Sequence, residues 1–241
     1  MKELISIAKS LNIECCGFCV FEGKTYFVCL FPYYTGVLPP FPMSRYARLM
    51  DYHIIARSYL QKIALQSGAE CDIFVDAPEL PERFLASAAG LGFIGKNKCL
   101  INEIYGSYVF IGGLILKEKI DFTPGNQIEN QCGACEKCVS ACPGEVLPDG
   151  NFAGCVSRLT QSGNIDGDIK LPSMWGCDIC QDVCPKNENI KLTPIVEFYR
   201  DIISDIDIDN LSNSQFKAKY GRYPFAYKGR KIIERNMNLL G

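Results

Sequence analysis

Between Gln131 and Pro185 the chain reads Cys132-Gly-Ala-Cys135-Glu-Lys-Cys138-Val-Ser-Ala-Cys142-Pro143, then Cys155, then Cys177-Asp-Ile-Cys180-Gln-Asp-Val-Cys184-Pro185. Nothing else in the sequence restricts the fold as strongly, because so many thiols in so short a segment must wrap around something that binds them. A C-x2-C-x2-C-x3-C-P run cannot place all four thiolates around one cubane, so its fourth cysteine serves the other cluster of a two-cluster module. The spacing therefore assigns Cys132, Cys135, Cys138 and Cys184 to one 4Fe-4S cluster and Cys142, Cys155, Cys177 and Cys180 to a second. In the second run, Cys155 stands in for the cysteine that a bacterial ferredoxin carries three residues before Cys177, and an insertion displaces it. Pro143 and Pro185 end each run where the chain must turn away from the cluster.

A structural zinc site and a disulfide scaffold are the alternatives, since both also use paired cysteines. A zinc ribbon needs four thiolates in two C-x2-C pairs, whereas eight fall here into a double ferredoxin pattern with both terminal prolines. Disulfides belong to oxidising compartments, and the opening Met-Lys-Glu-Leu-Ile-Ser has no secretory apolar region. A cytoplasmic, oxygen-sensitive redox protein is the expectation. The formal net charge of -2 and hydrophobic content of 48% point neither to a disordered chain nor to a globally basic nucleic-acid binder. No apolar run approaches the ~20 residues that span a bilayer, so no membrane partner is expected.

Six cysteines stand outside this framework: Cys15, Cys16, Cys19, Cys29, Cys71 and Cys99. Most are expected to be small buried hydrophobes. Cys16 and Cys19 form a C-x-x-C, but the surrounding residues read as a strand entering a core, and no second pair follows at ligand spacing.

At 241 residues the chain has room for one medium domain and a smaller one, given domains of about 100 to 150 residues. The periodicity predicts an amphipathic helix over 2–11, with Leu4, Ile5, Ala8 and Leu11 on one face. A strand pair follows around Gly23-Lys24, and a second helix runs from Ser44, as N-cap, to Gln66, with Leu49, Ile54, Ile55 and Leu60 buried. Cys71 to Val75 reads as a strand ending at Asp76, Pro81 to Ala89 as a helix ending at Gly90, and Tyr108 to Leu116 as a further strand. This alternation predicts an α/β domain over 1–127 that closes with a Thr-Pro-Gly-Asn linker. A ferredoxin-like double 4Fe-4S module over 128–190 and a helical C-terminal segment over 191–241 complete the chain. In that last segment Asp201, Asp205, Asp207 and Asp209 precede a basic stretch from Lys217 to Arg235, and either run alone is usually a solvated face. Together Lys217, Lys219, Arg222, Lys228, Arg230, Lys231 and Arg235 are expected to create local positive potential.

A ferredoxin module only carries electrons, so the larger N-terminal domain needs its own explanation. It contains Val75-Asp76-Ala-Pro-Glu-Leu-Pro-Glu82-Arg83, Ala89-Gly90-Leu91-Gly92-Phe93-Ile94-Gly95-Lys96-Asn97, Leu100-Ile101 and Gly106-Ser107. Upstream stand Ser44-Arg45-Tyr46-Ala47-Arg48 and Asp51-Tyr52-His53; downstream stand Trp175-Gly176-Cys177-Asp178-Ile-Cys180-Gln181 and Gly229-Arg230-Lys231 to Arg235-Asn236. In these motifs the chain resembles the epoxyqueuosine reductase family, cobalamin-dependent enzymes of the last step of queuosine synthesis in tRNA. The match is to short members that lack a C-terminal helical-repeat domain. The glycines from Gly90 to Gly95 invite a close backbone approach to a large ligand. They do not form a dinucleotide fingerprint, because no strand immediately precedes them.

The resemblance implies an α/β corrinoid-binding domain in which Lys96, Leu100 and Ile111 border the corrin, with Ser157, Cys177 and Asp178 bordering it from the cluster module. It implies that Asp76 is the proton donor, with a pKa raised beside an apolar macrocycle; from the residues alone, Asp76 is also readable as a strand-end turn residue or helix cap. Glu82 is read as an ion-pair partner of Arg83 or a helix-start carboxylate. His53 is the only histidine in the chain and is read as structural, so the corrinoid is expected to take no axial histidine from the protein. Epoxyqueuosine-containing tRNA and a low-potential electron donor such as ferredoxin or flavodoxin are the implied partners of a monomer. Two other functions fit the same residues. One is a corrinoid-dependent reductase of another substrate, dehalogenase-like or corrinoid-activating, and the other is a plain ferredoxin-type electron-transfer protein.

Overall fold

The computed structural model describes residues 1–119, 128–147, 150–165, 167 and 169–241. The expected linker at 123–126 lies outside them. The chain forms two compact units, each assembled from separate stretches of sequence. The first comprises Met1–Tyr34, Tyr52–Cys135 and Pro185–Val196, and the second Thr35–Asp51, Glu136–Cys184 and Glu197–Gly241.

In the first unit, helix α1 (Lys2–Ser10) buries Leu4 and Ala8, as its periodicity requires. Strands β1 (Cys16–Phe21) and β2 (Lys24–Pro32) pair antiparallel through the two-residue turn Glu22-Gly23. Both turn residues have positive φ, 48° and 72°, the backbone of a type I′ turn, whose twist suits a tight hairpin. Helix α2 (Tyr52–Ser67), strand β3 (Cys71–Val75), helix α3 (Glu82–Ala88), the small hairpin β4 (Phe93–Ile94) with β5 (Leu100–Ile101), and strand β6 (Val109–Leu116) follow. The main sheet has the order β1-β2-β6-β3 and every pair is antiparallel.

Strand β2 is buried from Thr25 to Pro32, so both of its faces are covered. On one face Tyr26, Val28 and Leu30 join Phe74, Leu85, Leu91, Leu100 and Ile111 in a core roofed by α3. On the other, Phe27 packs on Phe18 with ring centroids 4.8 Å apart, and Phe31 meets Tyr59 of α2. Burying side chains of this size is worth about 1.5–3 kcal/mol each, which is why an aliphatic and aromatic run becomes the centre of the sheet. Cys15, Cys19 and Cys29 are buried, whereas Cys16, Cys71 and Cys99 are partly covered.

The helix expected from Ser44 to Gln66 is broken. Ser44 precedes a single 3-10 turn (Arg45–Arg48), Leu49 is extended, and α2 begins only at Tyr52. Backbone pairing outweighs helix propensity here, because Ser44 N–H donates to the Trp175 carbonyl and Asp51 N–H to that of Arg222, both at 2.8 Å. Leu49, Ile55 and Leu60 are buried as expected, but Ile54 is 58% exposed, since the later start rotates it to the outer face.

The second unit has only short helices: α4 (Lys137–Ser140), α5 (Val156–Gln161), α6 (Ile179–Asp182), α7 (Asn213–Tyr220) and α8 (Arg230–Asn238). The C-terminal segment is thus helical in two pieces, with 3-10 turns at Val196–Tyr199 and Pro224–Lys228. Ser212 and Gln215 form a capping box that starts α7. The core gathers Met43, Ala47, Met174, Trp175, Ile203, Phe216, Phe225 and Ile233 from three separate stretches. Among the described residues no helix is long and apolar enough to cross a membrane.

Much of this unit is held by polar links from α8. Asn236 is fully buried, and its amide donates to the carbonyls of Thr160 and Met174, both at 2.8 Å. The Arg235 guanidinium donates to the carbonyls of Ser162, Gly163 and Leu159, closing the end of α5. Asn236→Ala strands two buried carbonyls, so it is expected to lower stability by about 1–3 kcal/mol in chemical denaturation. The exposed Asn238→Ala should stay within about 0.5 kcal/mol of the parent.

Candidate functional site

In the first unit, Asp76 sits where β3 ends and adopts φ 51°, in the left-handed region that a side chain disfavours. Its Oδ2 accepts a hydrogen bond of 2.7 Å from the Tyr52 hydroxyl and lies 3.4 Å from His53 Nε2. The Tyr52 ring is stacked between His53 and Phe110, at centroid distances of 4.0 and 3.9 Å. One turn of α2 therefore presents two donors to one carboxylate. These bonds, His53 first and Tyr52 after it, hold the Asp76 carboxyl below its ordinary value in spite of burial. The raised pKa expected for a neutral acid is not seen, because both donors favour the anion.

Glu82 stands at the start of α3 and reaches back across the same turn. Its Oε1 accepts the N–H of Ala77 at 2.9 Å. Burial pushes its carboxyl up to about 7, against the backbone donors Ala77 and Asp76, and the charge of Asp76 adds to the rise. Glu82 is thus the helix-start carboxylate of α3 rather than the ion-pair partner of Arg83, and Arg83 itself donates to the Lys98 carbonyl.

The glycines on either side of β4 serve the chain itself. A Cβ on Gly92 would lie 2.3 Å from the Ile101 carbonyl oxygen, and one on Gly95 would lie 2.6 Å from the Ile101 side chain. The close approach that these glycines permit is to strand β5. Lys96 follows, and its backbone N–H points at Cys132 Sγ, 3.5 Å away. Asn130 ties the same segment down by donating to the Ile94 carbonyl while accepting from Cys132 N–H. Leu100 and Ile111, 3% and 9% exposed, lie in the core beneath α3. Asn97 is 5% exposed, and its Oδ1 accepts from Cys99 N–H while its Nδ2 is buried without a partner.

In the second unit, Cys177 and Cys180 flank the start of α6, with Asp178 as its N-cap. Burial pushes the Cys177 thiol up to about 12; the Ile179 N–H works against this, while Cys180, Asp178 and Cys155 add to it. Cys142 is brought toward Cys155 by a glycine contact, since a Cβ on Gly144 would lie 2.1 Å from the carbonyl oxygen of Gly154. The thiols of Cys155, Cys177 and Cys180 thus share one neighbourhood, with a backbone donor aimed at Cys177. This is a donor set suited to iron-sulfur ligation, in which the thiolate form is the ligand. Asp178 accepts the Arg45 N–H, and burial raises its carboxyl to about 6 against that bond and the charges of Arg45 and Arg48. Ser157 lies within α5, where its carbonyl accepts from Thr160 Oγ1 and Gln161 Nε2.

The basic stretch is largely neutralised within its own unit. Arg222 pairs with Asp201, Lys219 with Asp207 and Arg230 with Glu234, while Arg235 serves carbonyls. Lys217, Lys228 and Lys231 are exposed. The acidic and basic runs that looked like two solvated faces are in part each other's partners.

Tyr52, His53 and Glu82 are the site residues to which sequence reasoning gave no role beside Asp76. Spacing could have suggested Glu82, six positions after Asp76, but nothing local connects Asp76 to a tyrosine on α2.

Residues 131–187 match a family described as a 4Fe-4S double cluster binding domain. The chain is 33% identical to an epoxyqueuosine reductase of Bacillus anthracis over 209 residues, 77% of this chain and 53% of that protein. It is 36% identical to that of Bacillus subtilis (strain 168) over 203 residues, 77% of this chain and 52% of that protein. The chain spans about half the length of the curated relatives it matches. Among solved structures, the epoxyqueuosine reductase of Streptococcus thermophilus superposes with a TM-score of 0.79 at 26% identity, covering 98% of this chain and 79% of that one. An epoxyqueuosine reductase with an epoxyqueuosine-modified tRNA-Tyr stem loop gives 0.78 at 27% identity, covering 99% and 80%. One from Bacillus subtilis, with its catalytic aspartate loop swung out of the active site, gives 0.75 at 28% identity, covering 99% and 80%.

The Glu82 carboxyl is raised on folding, so the folded protein binds a proton there that the unfolded chain releases. Stability should therefore fall as pH rises from about 4.5 to about 7, and Glu82→Gln should remove that part of the pH dependence. Urea denaturation of both proteins at pH 5 and pH 8 checks this, and the variant should gain relative to the parent only at the higher pH.

Proposed function

The chain belongs to the epoxyqueuosine reductase family, and on that premise we propose that it reduces the epoxide of epoxyqueuosine in tRNA to queuosine, using a corrinoid fed by two 4Fe-4S clusters. The observation that carries the reading is Asp76, presented in a left-handed turn at a strand end and held by two donors, in a chain that also carries the eight-cysteine framework. Removing an epoxide oxygen to leave an alkene consumes two electrons and two protons and releases water. Asp76 is the group proposed to give a proton to the departing oxygen. The catalytic aspartate loop named for the Bacillus subtilis structure gives the 76–81 turn a counterpart, and we take this turn as the equivalent loop.

The residues present suit the corrinoid. Asn97 Nδ2 is a buried donor without a partner beside Lys96, available to a ligand carbonyl. His53, the chain's only imidazole, lies against Asp76, which supports a corrinoid without a protein histidine ligand. When bound, the corrinoid supplies a low-valent metal for two-electron reduction, while the protein contributes orientation, electrons and protons. Lys96 of the first unit is the proposed border residue there, since Leu100 and Ile111 are taken up in the core beneath α3. Cys132, Cys135, Cys138 and Cys184 are proposed for one cluster and Cys142, Cys155, Cys177 and Cys180 for the other, loaded by a low-potential donor such as ferredoxin or flavodoxin. Exposed Lys217, Lys228 and Lys231 offer phosphate contacts of the sequence-independent kind.

Anaerobic reconstitution should yield about eight iron and eight sulfide per chain. Cys155→Ala should damage one cluster although Cys155 lies outside both tight runs, and an intact pair of clusters in that variant would refute the ligand assignment. Turnover of an epoxyqueuosine-containing tRNA stem loop tests the function directly. Asp76→Asn should keep iron content and cobalamin binding while turnover falls about 10²- to 10⁴-fold, the range for loss of a general acid. Wild-type turnover in that variant would reduce Asp76 to a turn residue, and no cobalamin binding by the parent would leave only electron transfer.

A further inference from the structure

The turn after β3 contains a carboxyl that the reaction as described does not use. Holding Asp76 at φ 51° costs on the order of 1–2 kcal/mol, so the surrounding structure must impose it. The backbone of the turn supplies part of the restraint: Leu80 N–H donates to the Ala77 carbonyl at 3.0 Å and Glu82 N–H to that of Leu80 at 2.9 Å. The Glu82 carboxyl supplies another part, accepting the Ala77 N–H at 2.9 Å, with the Asp76 N–H also acting on it. Glu82 is itself fixed, because it begins α3, whose Leu85 and Ala86 are fully buried. Asp76 is therefore gripped twice, its backbone from α3 through Glu82 and its side chain from α2 through Tyr52 and His53.

We propose that Glu82 is a positioning residue for Asp76: by accepting the amide N–H groups of the turn, it locks the left-handed backbone that aims the Asp76 carboxylate at Tyr52 and His53 and keeps the 76–81 loop in place. The proposal deepens the function above and rests on the role given there to Asp76. Any acceptor of the right length serves the backbone grip, so glutamine should replace glutamate and alanine should not. The groups that bear on Glu82 electrostatically are Asp76 of its own turn and His53 of α2, and they act in opposite directions.

The test uses the cluster-loaded protein and its Glu82→Ala and Glu82→Gln variants. Glu82→Ala should lower kcat about 10- to 100-fold, the scale of a misplaced reacting group, with KM for the tRNA stem loop, iron content and cobalamin binding unchanged. Glu82→Gln should restore kcat to within a few-fold. A second readout does not depend on turnover. His53 is the only histidine, so ¹⁵N-histidine labelling gives a single imidazole that reports on Asp76. In the parent its signal should carry an inflection near pH 7 from Glu82, which Glu82→Gln abolishes without moving the signal at low pH. In Glu82→Ala the signal itself should shift as Asp76 leaves its donors. An unchanged His53 signal in Glu82→Ala overturns the proposal whatever the activity, as does a glutamine variant as impaired as the alanine one. A parent protein that does not turn over epoxyqueuosine, with His53 displaced in Glu82→Ala, would sink the functional reading and leave the positioning intact.

Discussion

Burial sets the charge of Cys177, and the second unit depends on how that charge is resolved. Withdrawn from water, the thiol is pushed up to about 12, and the neighbouring Cys155 and Cys180 add to the push, so bare thiolates here would repel one another. A cationic metal core reverses the balance, because a coordinated thiol is deprotonated outright. The helices at these cysteines are too short to stand alone: α6, which contains Cys180, has four residues and α5, which Cys155 precedes, has six, well below the ~12–15 at which isolated helices become even marginal. Their order comes from outside, from Arg235 and Asn236 of α8 and from the Gly176 N–H on Thr160 Oγ1. Ligation of iron by these thiols, as proposed above, would add to this, since metal binding by a site absent from the unfolded chain is folding free energy.

In the first unit the corresponding constraint is a pair of carboxyls shifted in opposite directions. Asp76 and Glu82 share one turn, yet Asp76 is lowered and Glu82 raised. Imidazole and hydroxyl donors on α2 stabilise one anion, while the other is half-buried and receives backbone amides. The division of labour suits the roles proposed above. A group proposed to offer a proton to a substrate has to be reachable, and the Asp76 side chain is 63% exposed. A group that holds a backbone conformation has to be enclosed by it.

What could be read from the sequence was whatever depends on local pattern. The thiol framework follows from spacing alone, and the β1-β2 turn from Gly23 between two apolar runs. Strand β3, ending at Asp76, follows from its bounded run of apolar residues. Features set by partners distant in sequence could not be read. The break in the 44–66 helix is imposed by carbonyls of Trp175 and Arg222, over a hundred positions away, and it turns Ile54 outward. The glycines on either side of β4 were legible as a place of close approach, but not as an approach to Ile101. Tyr52 and His53 reach Asp76 across 24 and 23 positions because α2 packs beside β3, which no periodicity encodes. The charge runs at the C-terminal end misled for the same reason, since Arg222 and Lys219 find Asp201 and Asp207 only after the chain has folded back.

The lowered pKa of Asp76 and its proposed role as an acid are compatible once exposure is considered. The anion is stabilised by Tyr52, by His53 and by water over its exposed side. A large apolar ligand over that side removes the water while leaving the two donors, and desolvation moves a carboxyl upward. The shift is toward Glu82, whose own carboxyl already lies near neutrality at about 7. On this electrostatic argument, a ligand covering the exposed side of Asp76 would move its carboxyl upward and so toward the acid role proposed for it.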